Sequence, residues 1–261
     1  MSVKIIIIGS TGKLGTKLLN FTNKYLIPIY GITCYSNYKK LNNQKNKYKI
    51  NKSFVLNNSV DRNKFLKLLE KKIHILYFLD YGSLSLSYLN HFLKFNKNSI
   101  IAIANKEMII AGGSVLQSKI IKTDNTFIPL DSEHFSLINS NINKNNIKKV
   151  YITASGGPFY FKKKINLNNV NSKLVLSHPK WKMGKNNLID SSNFINKILE
   201  IYELSHIYNI PIHKIDFLIS KEAFIHSIVH YKDNTLSLNC FTNDMLICLL
   251  YTSDAADDLR G

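Results

Sequence analysis

The β-branched run from Val3 to Ile8 ends in Gly9-Ser10-Thr11-Gly12-Lys13-Leu14-Gly15, after which Leu14, Leu18, Leu19 and Phe21 recur at helical spacing. A buried strand that turns on glycine straight into an amphipathic helix constrains the chain strongly. The next strand must return on the same side of the helix, and a sheet built this way is parallel. The alternation continues. Ile27 to Thr33 reads as a second strand, Asp61 to Lys72 as a helix, Ile73 to Leu79 as a strand, Leu84 to Phe95 as a helix and Ile100 to Ala104 as another strand. The expected fold class is therefore α/β, opening with a doubly wound parallel sheet.

The rhythm changes after Asn105. Asn139 to Lys149 is polar without a helical or strand face and reads as a surface loop. Val150 to Ala154 reads as a strand and Phe194 to His206 as a helix; Phe217 to Ile219, Ile225 to Tyr231 and Thr235 to Cys240 read as short strands around an Asp233-Asn234 turn. The organisation expected is a Rossmann-like domain over 1–104, an α+β domain over 105–248 and a tail over 249–261. That tail, LLYTSDAADDLRG, holds no Lys, Asn or Ile, unlike the body of the chain. It reads as non-native sequence or a frameshift, with a genuine disordered tail as the alternative.

A formal charge of +18 invites a nucleic-acid partner. The basic residues argue against one, because 33 are Lys and the only Arg are Arg62 and Arg260. Arg is the better base reader, and the lysines are scattered among 32 Asn as in the product of an AT-rich coding sequence. Three cysteines, Cys34, Cys240 and Cys248, without a Cys-x-x-Cys pair, give neither a disulfide framework nor a zinc site. A reducing compartment, the cytoplasm, fits that usage. No apolar run approaches the roughly 18 to 20 residues that span a bilayer, and no leader is expected before the first strand.

Three groups of residues could carry chemistry. The glycine turn and the helix after it offer backbone N–H groups to a dinucleotide pyrophosphate, although a G-x-x-G-x-x-G spacing also suits a purely structural turn. No acid stands at Thr33-Cys34-Tyr35-Ser36-Asn37 to hold a ribose hydroxyl, which favours NADP over NAD. Asp131 and Glu133 flank Ser132, and in an extended segment their carboxylates point the same way, toward one Mg²⁺ or Mn²⁺; two surface acids are the alternative. Ser155, Ser191, Asn196 and Lys197 gather hydroxyls, an amide and an ammonium suited to a phosphate. Glu200 shares a helix face with Asn196 and could give a third metal oxygen, or be only a solvated helix partner. Trp181, in a stretch without periodicity, suits a mobile lid or a core position.

These segments, in this order, resemble the 1-deoxy-D-xylulose 5-phosphate reductoisomerase family over most of residues 3–240. The markers are GSTGKLG at Gly9 to Gly15, ANKE at Ala104 to Glu107, PLDSEH at Pro129 to His134, TASGGPF at Thr153 to Phe159, HPKWKMG at His178 to Gly184, DSSNFINKILE at Asp190 to Glu200 and IHS at Ile225 to Ser227. The resemblance implies an NADPH- and metal-dependent isomerisation and reduction of a sugar phosphate in isoprenoid precursor synthesis. It implies that Asp131, Glu133 and Glu200 bind the metal that chelates substrate, and that Ser155, Ser191, Asn196 and Lys197 hold the phosphate. Lys106, Ser132, Glu133 and His178 would lie at the reacting carbons, with Lys106, Glu133 and His178 catalytic, and Trp181 and Met183 on the lid. NADPH would contact Gly9, Ser10, Thr11, Gly12, Lys13, Leu14, Asn37, Asn105, Glu107 and Gly184, and the chain would pair as a homodimer. Lys13, Tyr35-Ser36, Asp80-Tyr81 and Ser220-Lys221-Glu222-Ala223 depart from the family pattern, and the family's C-terminal helical domain is expected to be absent. Readings from other classes are a non-catalytic relative, a basic nucleic-acid-binding module and another Rossmann oxidoreductase.

Overall fold

The computed structural model describes residues 3–140, 142–143, 145–160, 170–176, 185–222, 224–242 and 247–248. The chain divides into two compact units, the first running to Asp131 and the second beginning at Ser132.

In the first unit strands and helices alternate: β1 (Ile5–Ile8), α1 (Lys13–Lys24), β2 (Gly31–Cys34), α2 (Tyr38–Lys47), β3 (Lys52–Val55), α3 (Ser59–Leu69), β4 (Ile75–Phe78), α4 (Ser85–Phe95), β5 (Ile100–Ile103), α5 (Lys106–Lys122) and β6 (Thr126–Pro129). The six strands form one sheet in the order β3-β2-β1-β4-β5-β6, with every pair parallel. Every residue of β1, β4 and β5 is buried, which is why these strands read as unbroken apolar runs. The chain reverses its direction of travel across the sheet between β1 and β4, so a crevice opens there beyond the strands' carboxyl ends, where α/β sheets take their ligands.

The expected elements hold, with shifted limits. β2 starts at Gly31 rather than Ile27, because Pro28 has no N–H to give a ladder, and Tyr30 N–H makes the first bond back to Ile5. α3 starts at Ser59 and not Asp61, since the Asn58 side chain caps it by accepting from the backbone N–H groups of Val60 and Asp61. The change of pattern expected after Asn105 comes later. α5 and β6 still belong to the first unit, and β6 pairs with β5 in register from Ile100↔Thr126. The hydrophobic period is blurred there because Gly113, at φ 52 and ψ −151, kinks α5.

The second unit contains α6 (Ser132–Phe135), β7 (Ile147–Ala154), α7 (Ser172–Val175), α8 (Lys185–Ser192), α9 (Ile195–Tyr208), β8 (Ile215–Ile219), β9 (Ile225–Tyr231) and β10 (Leu236–Cys240). Its sheet runs β10-β9-β7-β8, with β7 parallel to β8 and the other pairs antiparallel. Leu137, Ile147, Val150, Ile152, Leu204, Ile210, Ile215 and Val229 make its core. The stretch expected as loop to Lys149 already becomes strand at Ile147, which is wholly buried and pairs with Tyr231; Ile147, with Ile142 packed against the same core, anchors it among Asn and Lys.

Candidate active site

In the first unit the glycine turn sits at the carboxyl end of β1. Gly9 has φ +82, and a Cβ there would lie 2.6 Å from the backbone nitrogen of Asp80, so only glycine fits. A Cβ at Gly15 would lie 2.5 Å from the Gly9 carbonyl oxygen, which seats the first turn of α1 directly on the loop. α1 has no side-chain cap and no acid in its first turn. Its positive end is thus open to an anion at Thr11, Gly12, Lys13 and Leu14, of which Gly12 and Lys13 are exposed. Ser10 differs from expectation. It is fully buried, its hydroxyl donates to Gln44 Oε1 at 2.9 Å, and the Gln44 amide donates back to the Ser10 carbonyl at 2.9 Å, so its side chain ties the turn to α2 instead of facing the crevice. Lys40 Nζ donates to the Thr11 carbonyl at 2.8 Å, and Asn37 caps α2 by accepting from Lys40 N–H at 3.2 Å.

Beside this turn, at the end of β4, the structure places a polar knot. Asn105 caps α5, its side-chain oxygen accepting from Met108 N–H at 3.0 Å, while its amide donates to Asp80 Oδ1 at 3.2 Å and to the Gly82 carbonyl at 2.9 Å. The Ser85 hydroxyl donates to Asp80 Oδ2. Burial raises the Asp80 carboxyl above its ordinary value, against these donors. Asn105 thereby fixes the start of α5, which carries Glu107 half-buried and Lys106 buried with its Nζ 3.9 Å from Asp131 Oδ2.

In the second unit α6 and α9 bring acids from distant parts of the chain together. Lys197 Nζ donates to Glu133 Oε1 at 2.7 Å and to the Thr153 carbonyl at 2.5 Å, and lies 2.5 Å from Glu200 Oε2. Lys197 and Glu200 are 5% and 2% exposed. Burial works to lower the Lys197 pKa, but the charges and hydrogen bonds of Glu133 and Glu200 outweigh it and hold the ammonium above its ordinary range. The Ser132 hydroxyl donates to Glu133 Oε2 at 2.5 Å, and the Asn196 amide donates to Glu200 Oε1. Asp131 is joined to Glu133 through one residue, so the local chain carries it alongside; carboxylate oxygens of Asp131, Glu133 and Glu200 lie within 4.8 Å of one another. Three oxygen donors gathered round a protein cation suit a hard divalent ion. The extended segment expected at Asp131-Ser132-Glu133 is instead the start of α6, and spacing gave no sign of the Lys197 ammonium between Glu133 and Glu200.

Of the residues expected at a phosphate, the structure brings the Ser155 and Ser191 segments side by side. Gly156 and Gly157 turn there with φ +95 and +68, and a Cβ on Gly157 would meet the Ser191 carbonyl at 2.9 Å. Phe194, left-handed at φ 63, breaks α8 from α9 and leaves α9 without a side-chain cap. Asn196 and Lys197 turn instead toward the carboxylates. His178, Trp181, Met183 and Gly184 lie outside the described residues.

Sequence reasoning overlooked His134 and Glu203. The His134 Nε2–H donates to the Glu200 carbonyl at 2.9 Å, and its Nδ1 lies 4.0 Å from Glu203 Oε2; both residues are buried. Tyr208 adds a hydrogen bond to the His134 carbonyl at 2.6 Å, so α6 is tied to α9 from behind the carboxylates. The signal for Glu203 was in the sequence, three residues past Glu200 on the same helical face. His226 is stacked on Phe241 at 3.8 Å; burial depresses its pKa, although Glu133 pulls the other way.

Comparison with known proteins gives the family and the fold. Residues 127–208 match the family described as the 1-deoxy-D-xylulose 5-phosphate reductoisomerase C-terminal domain. The chain is 34% identical over 267 residues to the 1-deoxy-D-xylulose 5-phosphate reductoisomerase of Pelagibacter ubique (strain HTCC1062), covering 94% of this chain and 68% of that protein. It is 31% identical over 268 residues to the protein of that name from Thermoanaerobacter pseudethanolicus (strain ATCC 33223 / 39E), covering 95% and 70%. Among solved structures, DOX-P reductoisomerase in complex with NADPH, fosmidomycin and magnesium superposes with a TM-score of 0.82 at 24% identity, over 96% of this chain and 69% of that one. The Zymomonas mobilis 1-deoxy-D-xylulose 5-phosphate reductoisomerase in complex with NADPH gives 0.80 at 22% identity, over 97% and 70%. Both are similar to this chain in fold.

Proposed function

Because this chain belongs to the 1-deoxy-D-xylulose 5-phosphate reductoisomerase family, we propose that it converts 1-deoxy-D-xylulose 5-phosphate to 2-C-methyl-D-erythritol 4-phosphate, using NADPH and a divalent metal, Mg²⁺ or Mn²⁺, on the way to isoprenoid precursors. The observation that carries the reading is the set of half-buried Glu133 with buried Glu200 and Lys197, and Asp131 alongside. An acidic cluster held inside a protein has been desolvated at a cost, and a cation is what offsets it.

Asp131, Glu133 and Glu200 hold the metal in this reading. When bound, the metal supplies a Lewis acid to the substrate's carbonyl and hydroxyl oxygens while NADPH supplies the hydride. Lys106, set by the Asn105 cap, stands at Asp131, where an ammonium steadies negative charge developing on the substrate. Ser155, Ser191, Asn196 and Lys197 hold the phosphate, which gives binding energy remote from the reacting carbons. The first unit takes the cofactor at the glycine turn, with Asn105 and Glu107 at its rim. His178, Trp181 and Met183 complete the site by resemblance. Among the described residues no helix is long and apolar enough to cross a membrane.

The test is Glu200→Gln. Substrate-dependent NADPH oxidation should fall by about a hundredfold or more, while NADPH titrated by fluorescence binds as in the parent. Equal loss of both would make Glu200 a structural residue and remove the metal from this reading. A second reading, a relative that keeps the fold without turnover, is favoured by one observation: a partly buried acid, Asp80, packs against the Gly9 turn where an anionic cofactor would lie. Tight NADPH binding by the parent would count against it.

A further inference from the structure

Lys197 cannot grip a phosphate from where it stands. An ammonium has three N–H donors, and here they face Glu133 Oε1, Glu200 Oε2 and the Thr153 carbonyl oxygen at 2.7, 2.5 and 2.5 Å. The side chain is 6% exposed, so no donor is left over and water does not reach in to replace one. The same two carboxylates are those that would ligate the metal.

We propose that Lys197 is a place-holder cation: its ammonium occupies the Glu133–Glu200 pair until a divalent ion displaces it, and only the displaced lysine is free to receive the phosphate of the substrate. This deepens the reading above and rests on it. Electrostatics gives the direction. Removing Lys197 from a metal-free site would take away the positive charge that lies between half-buried Glu133 and buried Glu200, so the ammonium stabilises the empty site. A divalent ion brings twice the charge to the same oxygens and repels the ammonium a few ångströms away. The lysine sits at the first turn of α9, where its side chain can swing outward about its own rotatable bonds without moving the helix. Metal and anion would then each favour the other's binding by the same factor.

Direct binding measurements with Mn²⁺ and inorganic phosphate as probes test this. In the parent chain, saturating phosphate should tighten Mn²⁺ binding severalfold, and Mn²⁺ should tighten phosphate binding to the same extent. In Lys197→Met, Mn²⁺ alone should bind about tenfold tighter than in the parent, and phosphate should no longer change it. If that variant fails to fold, the parent's reciprocal coupling and Lys197→Arg, which keeps the charge and should leave Mn²⁺ affinity near the parent's, still decide. Mn²⁺ binding that is unchanged or weaker in Lys197→Met, or indifferent to phosphate in the parent, overturns the place-holder role while leaving the metal site standing. No Mn²⁺ binding to either protein overturns the metal site itself, and the place-holder with it.

Discussion

At the scale of single residues, Asp80 shows how burial sets a sign. Its folded pKa lies above the ordinary 3.8, so the folded chain holds that proton more tightly than the unfolded one. The stabilisation this brings is complete below the ordinary value and is lost as pH rises through the folded one. At neutral pH the carboxylate is therefore a liability that Ser85 and Asn105 only partly offset. Asp80→Asn should melt at or above the parent temperature at pH 7 and lose that advantage near pH 4, as read by thermal unfolding at the two values. Asp80→Leu, which takes the acceptor from one Asn105 N–H and from the Ser85 hydroxyl, should instead cost about 2 kcal/mol at both. Little of this was legible in the sequence. Spacing paired Asp131 with Glu133 and Asn196 with Glu200, and the resemblance alone joined the two pairs; nothing in the sequence says that Lys197 turns inward or that Asp80 is partly buried.

Among elements, those that bury a whole face were the ones the sequence revealed. β1, β4 and β5 are apolar throughout, and α4 repeats Leu and Phe on one side. α2 and β3 were missed because they lean on the unit instead of entering it. α2 buries only Leu41 and Gln44, and β3, at the sheet edge, is half-buried along its length. The glycine turn between β1 and α1 is the element on which the cofactor reading depends. Gly9→Ala adds a methyl to a left-handed residue 2.6 Å from the Asp80 backbone. It should lower stability by about 3 kcal/mol in urea unfolding and abolish NADPH binding. A variant of parental stability that still bound NADPH would show that the turn has room to give.

Across the molecule the net charge of +18 is its most conspicuous property, and it is carried almost wholly by lysines scattered along the sequence. Duplex DNA should accordingly bind no tighter than about 1 µM at physiological salt, with affinity falling steeply as salt rises; a nanomolar, sequence-selective complex would reopen the nucleic-acid reading. The parallel pairing of β7 with β8 has a consequence of a different kind. Two parallel neighbours can be joined only by a long crossover, and residues 155–214 are that crossover. Ser155, Ser191, Lys197 and Glu200 all travel within it, while Glu133 and Thr153 wait on the chain before it. Glu133 and Glu200 can therefore become neighbours only after α9 has been made, so a site that joins them is completed late in synthesis.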